Sequence, residues 1–409
     1  MAKIILRPER SEKNSCNIGL PIYLDHNATT QVDKRVFAKV GHCFTTVFGN
    51  PASRDHSFGW DAAEATEEAR YHVADLINAV PNEIVFTSCA TESINLAVKG
   101  LVQANKAKKK AIVTSAIEHE AMLGACRQVE ASMDGEIKYL PVDRSGNIAL
   151  DELARSIGMG KTLLVSLMFA NNEIGTINPI REIARIAHES GALLFTDATQ
   201  AVGKIPVDVR EDGIDLAAFS AHKLYGPKGV GALFIRGGEP KIKLEPLIAG
   251  GGQERGMRGG TLNVPGIVGF GEACRIAQME MREESERVRK LRDRLEEALL
   301  AELPDAHING DIKNRLPNTS NIAFAGVDAR TLIRDMHNIA VSTRSACSSG
   351  SQGPSHVLKA LGLSDEQAYS SIRFSPGRYT TEEEIDYAIE RVIGSVRKLR
   401  KHRATMEQS

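Results

Sequence analysis

Two stretches, Ala192-Leu-Leu-Phe-Thr-Asp197-Ala-Thr-Gln200 and Leu216-Ala-Ala-Phe-Ser220-Ala-His-Lys223-Leu-Tyr-Gly-Pro-Lys-Gly229, decide how the chain is read. Each opens on a short apolar run and closes on residues able to do chemistry: a carboxylate and an amide in the first, a histidine and a lysine in the second. Runs of this kind, too short for helices and bounded by turn residues, read as strands buried on both faces. Similar runs occur at 83–87, 111–115, 163–169 and 231–235, and from Phe58 to Val396 they alternate with amphipathic helical stretches. The expected fold class is therefore α/β, with a large domain built on a mainly parallel sheet. Ligands in such sheets bind beyond the carboxyl ends of the strands, where these polar residues fall.

The stretch 276–300 places Val288, Leu291, Leu295 and Leu299 at helical spacing, which predicts one long helix leading to a smaller α/β domain. The expected division is 30–275 for the large domain, with 1–29 and 276–409 forming the small one. A last helix is expected to start near Thr380 or Thr381, with Glu383 and Glu384 at capping distance and Ile385, Ile389, Val392 and Val396 as its buried stripe. Residues 400–409 lack apolar periodicity and are expected to form a loose tail.

A chain of 409 residues, 42% hydrophobic, is long enough for two domains with a sizeable core. Its net charge of -1 gives no basis for direct nucleic-acid binding or for an anionic membrane surface as main partner. Cys16, Cys43, Cys89, Cys126, Cys274 and Cys347 are scattered, without zinc-site or disulfide spacing, so no metal is expected and they read as separate thiols in a reducing compartment. Residues 1–20 mix charges with short apolar runs and show neither a secretory segment nor a membrane span. A cytoplasmic location is the resulting expectation.

The lysine of the second stretch, Lys223, sits between His222 and an apolar residue at a strand end, a setting that desolvates an amine and favours Schiff-base chemistry. Asp197 places a carboxylate at the end of an apolar strand, a costly position without a partner. A protonated pyridine nitrogen would be such a partner and would maintain an electron sink for amino-acid carbanions; a helix N-cap is the other reading of Asp197. In Thr87-Ser-Cys-Ala-Thr91-Glu-Ser93, small residues pass from a strand into a helix whose free N–H groups suit a phosphate, although Thr91 and Glu92 fit plain capping as well.

With these residues the chain resembles the cysteine desulfurases of the class V aminotransferase family. The matching runs are Tyr23-Leu-Asp-His-Asn-Ala-Thr-Thr30, Phe48-Gly-Asn-Pro-Ala-Ser53, Ala90-Thr-Glu-Ser93, Glu118-His119, Asn171-Asn-Glu-Ile-Gly175, Asp197-Ala-Thr-Gln200, 220–229, Gly256-Met-Arg-Gly-Gly-Thr261, Ser345-Ala-Cys347 and Ser371-Ile-Arg-Phe374. The resemblance implies a fold type I transferase using pyridoxal 5'-phosphate. It implies Lys223 as the Schiff-base lysine, Asp197 on the ring nitrogen, and His119 stacked on the ring and assisting proton transfer. Gln200 and Asn172 would face the ring hydroxyl, Ala90, Thr91, Ser220 and His222 would hold the phosphate, and Thr261 would reach the phosphate of a neighbouring subunit in a homodimer.

The run Ser342-Thr-Arg-Ser-Ala-Cys347-Ser-Ser-Gly-Ser-Gln-Gly-Pro-Ser355 is rich in small and polar residues and reads as a mobile loop, like that of the family members with an extended cysteine loop. A thiolate there could attack the sulfur of free L-cysteine and carry it away as a persulfide, leaving alanine. Arg373 would pair with the substrate carboxylate, and Asn172 would also contact substrate. The sulfur would pass to an acceptor protein, for iron–sulfur clusters or for tRNA or DNA modification. Another lyase or transaminase of the same fold, such as a selenocysteine lyase, is the competing expectation. Departures from the family pattern stand at Cys89, Arg344, Gly259 and the pair His26-Asn27, and 401–409 does not resemble the scaffold-docking terminus of housekeeping members.

Overall fold

The large sheet forms because its strands are apolar on both faces. The structure is a computed structural model and describes residues 19–105, 111–158, 160–343 and 353–407. Seven strands lie in the order Ile84–Thr87, Gly231–Ile235, Leu216–Ser220, Leu193–Asp197, Thr162–Ser166, Ala111–Ser115, Ile137–Leu140. Only Gly231–Ile235 runs against its neighbours. Successive residues of a strand feed opposite layers, as a period of two requires. Val165, Leu194, Ala217 and Phe234 pack into one apolar cluster, and Leu164, Phe195, Ala218 and Leu233 into the other. The strand Ile137–Leu140, absent from the sequence expectation, is one of the two edge strands, where Lys138 and Tyr139 are exposed and blur the apolar signal.

The long helix runs Val264–Glu302, twelve residues earlier at its start than the stretch 276–300 suggested. Its first turns hold Gly266, Gly269 and Gly271, which lower helix propensity and mask the pattern. Packing explains Gly271: a Cβ there would lie 2.4 Å from Ala69 Cα in the helix Ser57–Asp75. Asn263 caps the helix by accepting from Gly266 N at 3.2 Å.

A separate apolar cluster joins Ile22 and Leu24 to Leu291, Leu295, Leu299 and the residues that follow, up to Val396. Its antiparallel sheet has the order Ser371–Phe374, Ser320–Phe324, Ala306–Ile308, and Ile22–Tyr23 pairs in parallel with Ile339–Ala340. The last helix is Glu382–Glu407, opened by a reciprocal cap between Thr381 and Glu384. It therefore includes most of what the sequence suggested as a loose tail. Tertiary bonds that composition does not reveal hold it there: Arg400 Nε donates to Ala325 O at 3.1 Å and Arg403 pairs with Glu366 at 3.6 Å. Among the described residues, no helix is long and apolar enough to cross a membrane.

Candidate active site

The sheet delivers three pairs of residues to one place because three of its strands end there. Leu193–Asp197 ends on Asp197, which is 6% exposed and accepts from Thr199 N at 3.0 Å. Leu216–Ser220 runs into a single 3-10 turn, Ala221–Lys223, that presents His222 and Lys223. Ile84–Thr87 leads through Cys89 into the helix Ala90–Ala104, whose first N–H groups lack helical acceptors. Asp197 and Gln200, His222 and Lys223, Ala90 and Thr91 all line one cavity of about 120 Å³, together with His119, Asn172 and Arg373.

Lys223 Nζ donates to the backbone carbonyls of Asn27 and Ala28, both at 2.7 Å. His222 Nδ1 lies 3.1 Å from Thr29 Oγ1, and burial, followed by the charges of Lys223, Lys228 and Lys204, lowers its pKa to about 4. The ring is thus neutral near pH 7. His119 caps the helix Glu120–Met133, its Nδ1 accepting from Ala121 N at 3.1 Å. That bond leaves the proton of a neutral ring on Nε2.

Arg373 is 1% exposed. Its Nη1 donates to Asn172 O at 2.8 Å and its Nη2 to Asp25 Oδ1 at 2.7 Å, while its Nε has no hydrogen-bond partner among the described residues. Since a guanidinium carries five N–H bonds, the set retains donors for a further acceptor. A buried N–H without a partner is costly, and a carboxylate is the group a guanidinium pairs with best.

Ser220, expected to hold the phosphate, and Thr261, expected to reach the phosphate of a neighbouring subunit, are not among the residues lining this cavity. Ser220 is buried and its Oγ donates to Val230 O at 3.3 Å; Thr261 is exposed and does not line the cavity of its own chain. Cys347 and Arg344 lie outside the described residues. Of the departures, Cys89 lines the cavity, and Gly259 is explained by space: a Cβ there would come within 2.7 Å of the Gly250 backbone.

The sequence assigned no role to Asp25, Glu118, Lys204 or Asn27, although all but Lys204 stand in runs that match the family. Asn27 is 1% exposed; its carbonyl accepts from Lys223 and Gln200, and its amide reaches Thr319, Asn318 and Lys204. These partners lie 173 or more residues away, so only the fold reveals them. The signal that existed was Asp25 and Asn27 standing, both polar, just after the apolar pair Ile22 and Leu24.

No group of three or more His, Cys, Asp or Glu among the described residues could hold a metal ion. The donor set fits pyridoxal 5'-phosphate instead. A buried carboxylate suits a ring N–H, a helix N-terminus beside a histidine suits a phosphate, and a lysine in the same cavity suits an aldehyde.

Residues 22–388 match the aminotransferase class-V family. The chain is 51% identical over 383 residues to the protein named cysteine desulfurase IscS of Escherichia coli (strain K12 / DH10B), covering 93% of this chain and 94% of the relative. Among solved structures, one titled NifS-like protein superposes with a TM-score of 0.85 at 40% identity, covering 91% of this chain and 98% of the other. A second, titled SspA in complex with cysteine, gives a TM-score of 0.76 at 36% identity, covering 88% and 100%.

Proposed function

The chain belongs to the class V aminotransferase family, and on that premise we propose that it is a pyridoxal-phosphate-dependent cysteine desulfurase converting L-cysteine to L-alanine. The observation that carries this reading is the meeting of Lys223, Asp197, His119 and Arg373 in one cavity. Lys223 Nζ would be the attachment point for the cofactor, Asp197 would keep its ring nitrogen protonated, and Ala90, Thr91 and His222 would hold its phosphate. Pyridoxal phosphate, when bound, supplies the electron sink that stabilises a carbanion at the substrate α-carbon.

Arg373 binds the substrate carboxylate through N–H bonds not spent on Asp25 and Asn172. His119 moves a proton at Nε2, since Nδ1 is committed to Ala121 N. Cys347, as thiolate, attacks the substrate sulfur; the Cβ–S bond breaks, the sulfur stays on Cys347 as a persulfide, and the carbon skeleton takes up protons to become alanine. The persulfide passes to a sulfur-acceptor protein.

A homodimer completes the reading, with 30–275 as the large domain and 1–29 with 276–409 as the small one. Phe37, Phe44, Phe48, Phe58 and Trp60, all more than half exposed, crowd the two helices Lys34–Thr45 and Ser57–Asp75 and the turn between them. Exposed aromatic clusters of this kind mark protein interfaces. The exposed Thr261 is then available to a neighbouring subunit.

The test is incubation of the purified protein with cysteine and a reductant. Equimolar alanine and sulfide from a yellow protein are expected; a colourless protein, or consumption of cysteine without alanine, would overturn the reading.

A further inference from the structure

Beside the site lies a second amine that the proposed chemistry leaves unused. Lys204 Nζ donates to Asn27 Oδ1 at 3.0 Å and to Gln200 Oε1. Enclosure by protein, then the nearby charges of Lys223 and Arg373, hold its pKa well below that of an ordinary lysine, with Glu284 opposing. His26 and His222 also feel its charge, and both rings are neutral near pH 7.

The two amides beside Lys204 have their orientation settled by their partners. Gln200 Nε2 donates to Asn27 O at 2.9 Å, and a backbone carbonyl can only accept, so the Gln200 oxygen must turn the other way. There it meets Lys204, which supplies two N–H bonds in either protonation state. Asn27 is fixed in the same manner. Its Oδ1 accepts from Lys204 and from Asn318 Nδ2 at 2.9 Å, and its Nδ2 donates to Thr319 Oγ1 at 2.8 Å. Without Lys204, Gln200 Oε1 loses its donor, and the bond from Nε2 to Asn27 O alone is left to orient the amide.

We propose that Lys204 is a positioning residue for Gln200, making this cavity-lining amide offer an N–H rather than an oxygen to the ring oxygen of a pyridoxal-type cofactor. The inference rests on the cofactor reading above and adds to it a residue outside the cavity lining. A donor at the ring oxygen favours its deprotonated form, so it lowers the pH at which the bound chromophore loses its proton.

The test is a spectrophotometric pH titration of the holoenzyme, following the visible band of the bound cofactor. Lys204→Met is expected to raise the midpoint by about one pH unit, and Lys204→Arg to restore it. In a Gln200→Ala background, Lys204→Met should change little, because the two residues act as one unit. Lys204→Gln serves if the Met variant does not fold, and the same upward shift is expected because its shorter side chain does not span both oxygens. An unmoved midpoint in the single variant would overturn the proposal, as would an equal shift in the Gln200→Ala background, which would mean that the amine acts through its charge alone. A wild-type protein with no visible band would overturn the cofactor reading itself.

Discussion

Arg373 and Asp25 form a salt bridge at 2.7 Å in which the guanidinium is almost wholly enclosed, and the other carboxylate oxygen of Asp25 accepts from Ser342 Oγ at 2.8 Å. Asp25 thereby fixes the plane of the guanidinium from outside the cavity. Removing its charge leaves a buried cation poorly paired. Asp25→Asn is expected to raise the KM for cysteine roughly tenfold to a hundredfold, the equivalent of one charged hydrogen bond. The effect on kcat should be much smaller. Steady-state kinetics check this, and a fall confined to kcat would remove Asp25 from substrate binding.

Lys223→Ala should abolish both the visible absorption of the protein and alanine production. The side chain donates to the Asn27 and Ala28 carbonyls and faces the cavity rather than an apolar cluster. A thermal midpoint within a few degrees of a cofactor-stripped wild type is therefore expected, corresponding to about 1 kcal/mol or less. Retained turnover would refute the role assigned to the amine.

Glu118 carries a pH signature. It is 1% exposed, its Oε1 accepts from Ser115 Oγ at 2.8 Å and Met168 N at 3.0 Å, and its Oε2 has no partner among the described residues. Burial, the leading cause, pushes its pKa up to about 8; Asp197 adds to the rise, while the bonds from Met168 and Ser115 and the proximity of His119 oppose it. The folded pKa thus lies above the unfolded value of about 4.3. Between the two, the folded protein holds a proton that the unfolded chain has lost, so stability falls as pH rises, by about 1.4 kcal/mol per unit, until the folded group ionises. Glu118→Gln removes this slope. Its melting temperature relative to wild type should climb steadily from about pH 5 to about pH 8; parallel curves would show that Glu118 is ionised throughout.

Cys347→Ser separates cofactor chemistry from sulfur transfer. Serine keeps the size of the side chain but is a far weaker nucleophile near neutral pH. The variant should retain the visible spectrum and its response to added cysteine, yet show no added sulfur by mass spectrometry on the peptide containing residue 347. Wild-type rates of alanine release would shift the role to another thiol, and Cys89, which lines the cavity, would be tested next.

What the sequence determined by itself was local or periodic. The apolar runs ending in Asp197 and Ser220, and the His222-Lys223 pair that follows, placed a carboxylate and a lysine at the same edge of a sheet, because strand period and turn chemistry are written in neighbouring residues. The tertiary structure decided everything that depends on residues far apart. It brought Asn27 to Lys223, Gln200 and Lys204, paired Asp25 with Arg373, and bonded Ser220 to Val230. The start of the helix Val264–Glu302 was hidden for the same reason, since Gly271 answers to the close approach of Ala69, and Gly269 to that of Val40 and Pro227, rather than to helix propensity. Hydrogen bonds between segments cost the sequence nothing in pattern, so a buried polar residue such as Asn27 or Glu118 becomes legible only when its partners are in place.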